Sequence, residues 1–268
     1  MSVKNGYRLS GAYGMIETVQ ISAAPKDART LKDKDKWIRG DDTMNLFIDN
    51  ADISAIRHIY EYYPVDGVST NPTLLSRTGR APFAVLREIR DFIGADELFV
   101  QAVSPDAAGM VREARRIVRE LGEETLIKIP AVPEGYKAMK ELEREGIRFI
   151  GTAVYTVMQG FIAAKCGAEY VAPYVNRIDS MGFDGVQVAL DLQDAIDNNG
   201  LDSGLIAASF RNTQQVMELI RCGVKSVTVS PEVFAGLTGG AMIDAAVEKF
   251  SADFASLTGK GVTMENCD

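Results

Sequence analysis

From Met44 onward the chain alternates between two hydrophobic rhythms. Short continuous apolar runs, rich in β-branched residues, take turns with longer stretches in which apolar positions recur every three or four residues. The short runs read as strands buried on both faces: 45–49 (NLFID), 66–70 (DGVST), 97–103 (ELFVQAV), 125–130 (TLIKIP), 148–152 (RFIGT), 169–175 (EYVAPYV), 205–209 (LIAAS) and 226–230 (SVTVS). The periodic stretches read as helices over 52–62, 82–93, 105–121, 133–145, 156–166, 185–198 and 212–222, several of them opened by Asp, Asn, Thr or Pro. Residues 231–237 read as an eighth helix, and an amphipathic helix over 241–257 follows, with Ala246, Val247, Phe250, Phe254 and Leu257 on its apolar side.

Eight strand–helix units in about 215 residues predict an α/β fold, a (β/α)8 barrel with an additional C-terminal helix, rather than an open doubly wound sheet. Neither GxGxxG nor GxxxxGK[ST] occurs, so a dinucleotide site or P-loop has no support. The surplus helix must bury its apolar side somewhere, and a neighbouring subunit is one candidate. Residues 1–43 break the pattern with the mixed-charge run KDKDK at 32–36 and no sustained apolar period, and they contain Trp37, the only tryptophan. We read them as an appended start or a mobile arm, whose tryptophan could dock on the surface, and residues 258–268 as a tail.

Composition narrows the function classes. The net charge is -8, and the first 43 residues hold eight of the 29 basic and six of the 37 acidic side chains, which leaves the barrel region at -10. Phosphate-backbone binding needs a basic face, so nucleic acid is not expected as a partner, although a local basic pocket remains compatible. Nor is a membrane, since no apolar run approaches the roughly 20 residues of a span. Three cysteines without CxxC spacing fit a reducing, cytoplasmic setting and argue against a disulfide framework or a structural zinc site. A single histidine, His58, disfavours Ser-His-Asp, Cys-His and multi-histidine metal chemistry.

The chemistry centres on Lys128, an ammonium group in the middle of the apolar strand LIKIP. It can lie with its stem along the sheet and its head in water. Alternatively it reacts, because burial disfavours a charged amine and the neutral amine is a nucleophile able to form an imine with a carbonyl. The neighbouring strand ends decide between these readings. In a barrel of this kind the carboxyl ends of the strands carry the site. They supply Asp49, Asn71, Gln101, Lys128, Thr152, Tyr174 with Asn176 and Arg177, and Ser209 with Arg211. Singly, Asp49 and Asn71 could be helix caps and Tyr174 a core aromatic; together they bring an amine, a carboxylate, a phenol, amides, hydroxyls and guanidinium groups to one face. A lysine imine is an electron sink that lets a carbon–carbon bond break through an enamine, the class I aldolase strategy. With no usable histidine, protons must move through Asp49, Tyr174 or a water held by Gln101 and Thr152. Arg177 and Arg211, near Ser209, suit a phosphate monoester.

These segments are recognisable. FIDNAD at 47–52, GVSTNPTLL at 67–75, LFVQAV at 98–103, LIKIPA at 126–131, GIRFIGTAVY at 146–155, GAEYVAPYVNRID at 167–179 and AASFR at 207–211 resemble the transaldolase family, most closely its fructose-6-phosphate aldolase branch. The resemblance spans residues 44–257 in order, and 1–43 have no counterpart. It implies Lys128 as the Schiff-base lysine and Tyr174 as the acid/base, with Gln101 and Thr152 holding a catalytic water. It further implies that Asp49 and Asn71 bind hydroxyls of the dihydroxyacetone unit, and Arg177, Ser209 and Arg211 the phosphate. No metal or organic cofactor is implied, and the family's rings of five subunits paired into decamers imply a homo-oligomer. Transaldolases proper carry glutamate where Gln101 stands and phenylalanine where Tyr174 stands, so these two residues favour the aldolase; Arg211 is the transaldolase-like detail. The expected activity, at the edge of pentose phosphate metabolism, is reversible cleavage of fructose 6-phosphate to dihydroxyacetone and glyceraldehyde 3-phosphate. The alternatives are transaldolase transfer of a dihydroxyacetone unit between sugar phosphates, and a non-catalytic sugar-phosphate binding barrel.

Overall fold

The computed structural model describes residues 44–267; the expectations for residues 1–43, including a docked Trp37, lie outside the described residues. Eight parallel strands close into a barrel in sequence order: β1 (Asn45–Asp49), β2 (Gly67–Ser69), β3 (Glu97–Gln101), β4 (Leu126–Pro130), β5 (Phe149–Val154), β6 (Tyr170–Pro173), β7 (Gly204–Ala207) and β8 (Ser226–Val229). The last strand pairs back on the first, Val227 opposite Leu46 and Val229 opposite Ile48. The helices are α1 (Ile53–Tyr62), α2 (Pro72–Arg77), α3 (Pro82–Ile93), α4 (Ala107–Leu121), α5 (Pro133–Glu145), α6 (Val157–Lys165), α7 (Val175–Ser180), α8 (Gly185–Asn198), α9 (Thr213–Arg221), α10 (Pro231–Thr238) and α11 (Ala241–Thr258). The (β/α)8 barrel with its extra C-terminal helix is therefore as the hydrophobic rhythm predicts.

Two apolar layers form because strands buried on both faces need partners on both sides. Outside the barrel, strand residues such as Ile48, Val68, Val100, Ile127 and Ile129 pack against helix stripes including Ile89 of α3, Ala114 of α4 and Leu142 of α5. Inside it, Phe47, Phe99, Leu126, Ile150, Ala172 and Ile206 make a separate buried plug, with the Phe47 and Phe99 rings edge-on at 4.9 Å. Strand side chains alternate with period two, so the positions two residues further along share the inward face. On β1, β3, β4 and β5 those positions are Asp49, Gln101, Lys128 and Thr152, and after β6 comes Tyr174, which packs on the plug. Two residues back lie Asn45, Glu97, Arg148 and Tyr170, where Arg148 binds the carboxylates of Glu97 and Glu169. A single apolar layer thus separates an ionic cluster at the amino end from a polar set at the carboxyl end.

The structure differs from the expected elements by two residues at four strand ends, by one residue at several others, and by two helices. β3 ends at Gln101, not 103, and β7 at Ala207, not 209, where Ser209 turns the chain at φ 62°. β5 continues to Val154 through a register shift around Ala153, at φ 55°. β6 stops at Pro173, so Tyr174 is the N-cap of α7, tied to the sheet by a bridge to Ala208 and by its N–H to the Val154 carbonyl at 3.0 Å. The helices α2 and α7 have six residues each, too short to show a period. Asn71, with Pro72 at the first helical position, caps α2 by accepting the Leu74 N–H at 3.0 Å.

Gly135 sets how close α5 comes to the lysine strand. A Cβ there would lie 1.8 Å from the Pro130 carbonyl oxygen, so only glycine permits this approach. At the far end of the chain α11 has no buried residue, and Met242, Phe250 and Leu257 are among its exposed side chains. No helix among the described residues is long and apolar enough to cross a membrane.

Candidate active site

At the carboxyl end of the barrel a cavity of about 260 Å³ is lined by Asp49, Asn71, Gln101, Lys128, Tyr174, Arg177 and Ser209, together with Pro72, Thr73, Ala153 and Ala208. A larger apolar groove of about 640 Å³ lies beside it between α2, α3 and α4, but of the strand-end set it shares only Gln101. Chemistry rather than volume selects the smaller one. Its mouth opens through Asp49, Asn71, Thr73, Arg177 and Ser209 into a wider groove, where Arg77 and Arg80 add positive charge and Asp52 and Glu232 offset it.

Lys128 is 4% exposed, and its amine is held by two partners from the end of β2. The Nζ donates to Ser69 Oγ at 2.9 Å and to the Thr70 carbonyl at 3.0 Å. Thr70 is itself fixed, its hydroxyl donating to the Phe99 carbonyl at 2.9 Å and its N–H to the same oxygen at 3.0 Å. Asp49 stands beside this pair, in register with Ser69 across the β1–β2 ladder. Burial pushes its carboxyl above the usual carboxylate range, although Lys128, Ser69, Arg177 and Asn71 all pull it down. Across the mouth the Tyr174 hydroxyl shares a 2.8 Å hydrogen bond with Thr152 Oγ1, on a fully buried threonine behind the cavity wall. Arg177, one turn into α7, lays its guanidinium 4.8 Å above the Tyr174 ring and donates to the Tyr155 hydroxyl at 3.3 Å. Tyr155 in turn meets Tyr174 edge-on, with ring centres 5.8 Å apart.

Eight of the nine residues given a role from the sequence therefore converge, seven on the wall and Thr152 through Tyr174. Arg211 does not. It is exposed, its backbone N–H caps onto the Gln215 side chain, and its guanidinium is absent from the cavity wall. Asn176 belongs to α7, where its N–H donates to the Ser209 carbonyl at 2.9 Å and holds the helix to the end of β7.

Residues 46–267 match the family model described as Transaldolase/Fructose-6-phosphate aldolase. The chain belongs to that family. Membership of the transaldolase/fructose-6-phosphate aldolase family means enzymatic chemistry of the aldolase or transaldolase type on sugar phosphates, and the match runs from β1 through α11. It includes both features of the site that the sequence reading missed. The sequence reading assigns no role to Ser69 or to Tyr155, although both lie within family-like segments, GVSTNPTLL and GIRFIGTAVY. The signal for Ser69 was its place two residues before the cap Asn71, at the strand end. Only the pairing of β2 between β1 and β3 turns it toward the amine.

Proposed function

We propose that the protein is a class I, Schiff-base aldolase that cleaves fructose 6-phosphate reversibly to dihydroxyacetone and glyceraldehyde 3-phosphate. The observation that carries this reading is the Lys128 amine, buried and held by hydrogen bonds, lining one cavity with Tyr174, whose hydroxyl is bonded to Thr152 behind the wall.

In the proposed reaction the Lys128 amine adds to the ketose carbonyl, and loss of water leaves an iminium ion. Tyr174 takes the proton of the hydroxyl on the fourth carbon, whose oxygen becomes the aldehyde carbonyl as the bond between the third and fourth carbons breaks into the iminium, and glyceraldehyde 3-phosphate departs as the enamine forms. The enamine regains a proton on carbon, supplied by Tyr174 through a water that Gln101 and Thr152 hold. Hydrolysis then frees dihydroxyacetone and the amine, so no electrons are gained or lost overall. Asp49 and Asn71 bind hydroxyls of the three-carbon unit, and Arg177 with Ser209 binds the phosphate. Arg211 could join them only by a change in its loop. A net acidic chain accepts an anion because these groups sit together at one mouth.

Gln101 and Tyr174 support the lyase over a transaldolase, which would hand the three-carbon unit to erythrose 4-phosphate. The two are separated by assaying free dihydroxyacetone from fructose 6-phosphate with and without an aldose acceptor. The aldolase reading expects dihydroxyacetone in both cases; release that is absent without acceptor, with transfer when it is present, would replace it by transaldolase. A purely binding barrel would give neither product.

A further inference from the structure

Arg177, the cation assigned to the phosphate, is gripped by two tyrosines that reach it from different elements. Its Nη1 donates to the Tyr155 hydroxyl at 3.3 Å, and its guanidinium lies 4.8 Å above the Tyr174 ring. The two rings brace each other edge-on, with centres 5.8 Å apart. Tyr174 and Arg177 line the cavity, whereas Tyr155 stands behind them and does not. Its backbone is tied down, because the Tyr155 N–H donates to the Gln159 side-chain oxygen at 3.0 Å and the Gln159 amide donates to the Ala131 carbonyl at 3.1 Å, just past the lysine strand. From this geometry we propose that Tyr155 is a positioning residue that fixes Arg177 in its phosphate-binding pose and thereby sets the preference for phosphorylated over unphosphorylated aldehydes. The inference rests on the phosphate role proposed for Arg177 and deepens it.

Each tyrosine restrains a different freedom of the guanidinium. The face of Tyr174 sets its height, but a cation over a ring is free to turn in its own plane. A hydrogen bond is directional, so the Tyr155 hydroxyl fixes that rotation. Bidentate recognition of a phosphate needs both to be set. An arginine ordered only when the ligand binds loses rotamer freedom at that moment, and one held by the protein has already lost it. Tyr155 takes one N–H of the guanidinium and the Tyr174 face takes none, so other N–H groups can meet phosphate oxygens. A phenol also suits this place better than a carboxylate, which would hold the guanidinium and cancel the charge that attracts the anion.

The test compares aldol addition of dihydroxyacetone to glyceraldehyde 3-phosphate and to glyceraldehyde, with the full-length protein. Tyr155→Phe removes only the hydroxyl and keeps the ring that braces Tyr174. The ratio of kcat/KM for the phosphorylated over the unphosphorylated aldehyde should fall about threefold to tenfold, with the loss in KM rather than kcat because a binding contact is weakened. Arg177→Ala should abolish the preference altogether, and adding Tyr155→Phe to it should change the ratio no further, since Tyr155 acts through Arg177. A general packing role for Tyr155 would move both aldehydes together. A parental ratio in Tyr155→Phe, or a further fall in the double variant, would overturn the positioning role while leaving the selective effect of Arg177→Ala, and with it the phosphate reading, intact. Equal losses for both aldehydes in Arg177→Ala would remove the phosphate reading and the proposal together. A parent that forms no addition product is a transaldolase rather than a lyase, and the same ratio is then measured in transfer from fructose 6-phosphate to erythrose 4-phosphate and to erythrose, with the same outcomes for Tyr155→Phe deciding.

Discussion

The Lys128 amine is fixed before any substrate arrives, by one hydroxyl and one carbonyl of the neighbouring strand. Such preorganisation costs stability elsewhere, and Asp49 is where it shows. Its carboxyl is raised above 3.8 in the fold, so the native state holds that proton more tightly than the unfolded chain does. Below the unfolded value both states are protonated and the group contributes nothing. As pH rises from there through the native value the unfolded state ionises first, and the fold is progressively penalised. Asp49→Asn should therefore be more stable than the parent, with a gain that is negligible in acid, grows across that window and then levels off. Denaturant midpoints at several pH values from about 4 upward check this; a gain that shrank as pH rose would contradict it. Gln101 and Tyr174 bear on reaction type. A carboxylate at 101 would put negative charge beside the water and the imine, and phenylalanine at 174 would remove the acid. Gln101→Glu combined with Tyr174→Phe should raise the ratio of transfer to cleavage by about tenfold, ~1.4 kcal/mol. Product analysis at fixed erythrose 4-phosphate measures it, and a ratio unchanged within about a factor of two, ~0.4 kcal/mol, would detach these residues from the choice.

Strand and helix were legible wherever an apolar rhythm lasted long enough to repeat. β1 and β4, with the helices from α3 onward that reach two turns or more, follow directly from it. The site was legible for the same reason: each polar inward residue of β1, β3, β4 and β5 comes two positions after a plug residue, as Lys128 follows Leu126. What escaped were features set by closure. α7 begins where the apolar run AEYVAPYV reads as unbroken strand: Tyr174 still donates to the Val154 carbonyl, and Val175 and Asn176, already helical, donate to Ala208 and Ser209. The position of Arg211 outside the wall likewise follows from the turn at Ser209, which no apolar pattern records. Helix–strand packing gives a prediction of its own. In Gly135→Ala the new methyl must push α5 away from the Pro130 carbonyl, an overpacking cost of about 1–3 kcal/mol. Urea unfolding should show this as a lowered midpoint, together with a reduced turnover because Pro130 ends the lysine strand; a midpoint equal to the parent's would mean that α5 does not constrain β4.

At the scale of the whole molecule the chain invests an 18-residue helix that buries none of its side chains in its own barrel. Exposed Met242, Val247, Phe250 and Leu257 make an apolar surface that a second subunit can cover. Truncation after Thr238 is expected to leave the barrel folded but lower the assembly mass by light scattering, and an unchanged mass would assign α11 no part in assembly. The family acts on sugar phosphates, yet everything proposed for the reaction depends on a covalent bond at one nitrogen. The decisive measurement is peptide mass mapping after borohydride reduction of the protein with fructose 6-phosphate, beside Lys128→Arg as a control that keeps the charge but cannot form the imine at neutral pH. The account predicts one reduced adduct, carried by the peptide that contains Lys128 and missing from the variant. An adduct on another lysine, or none in the active parent protein, would contradict it.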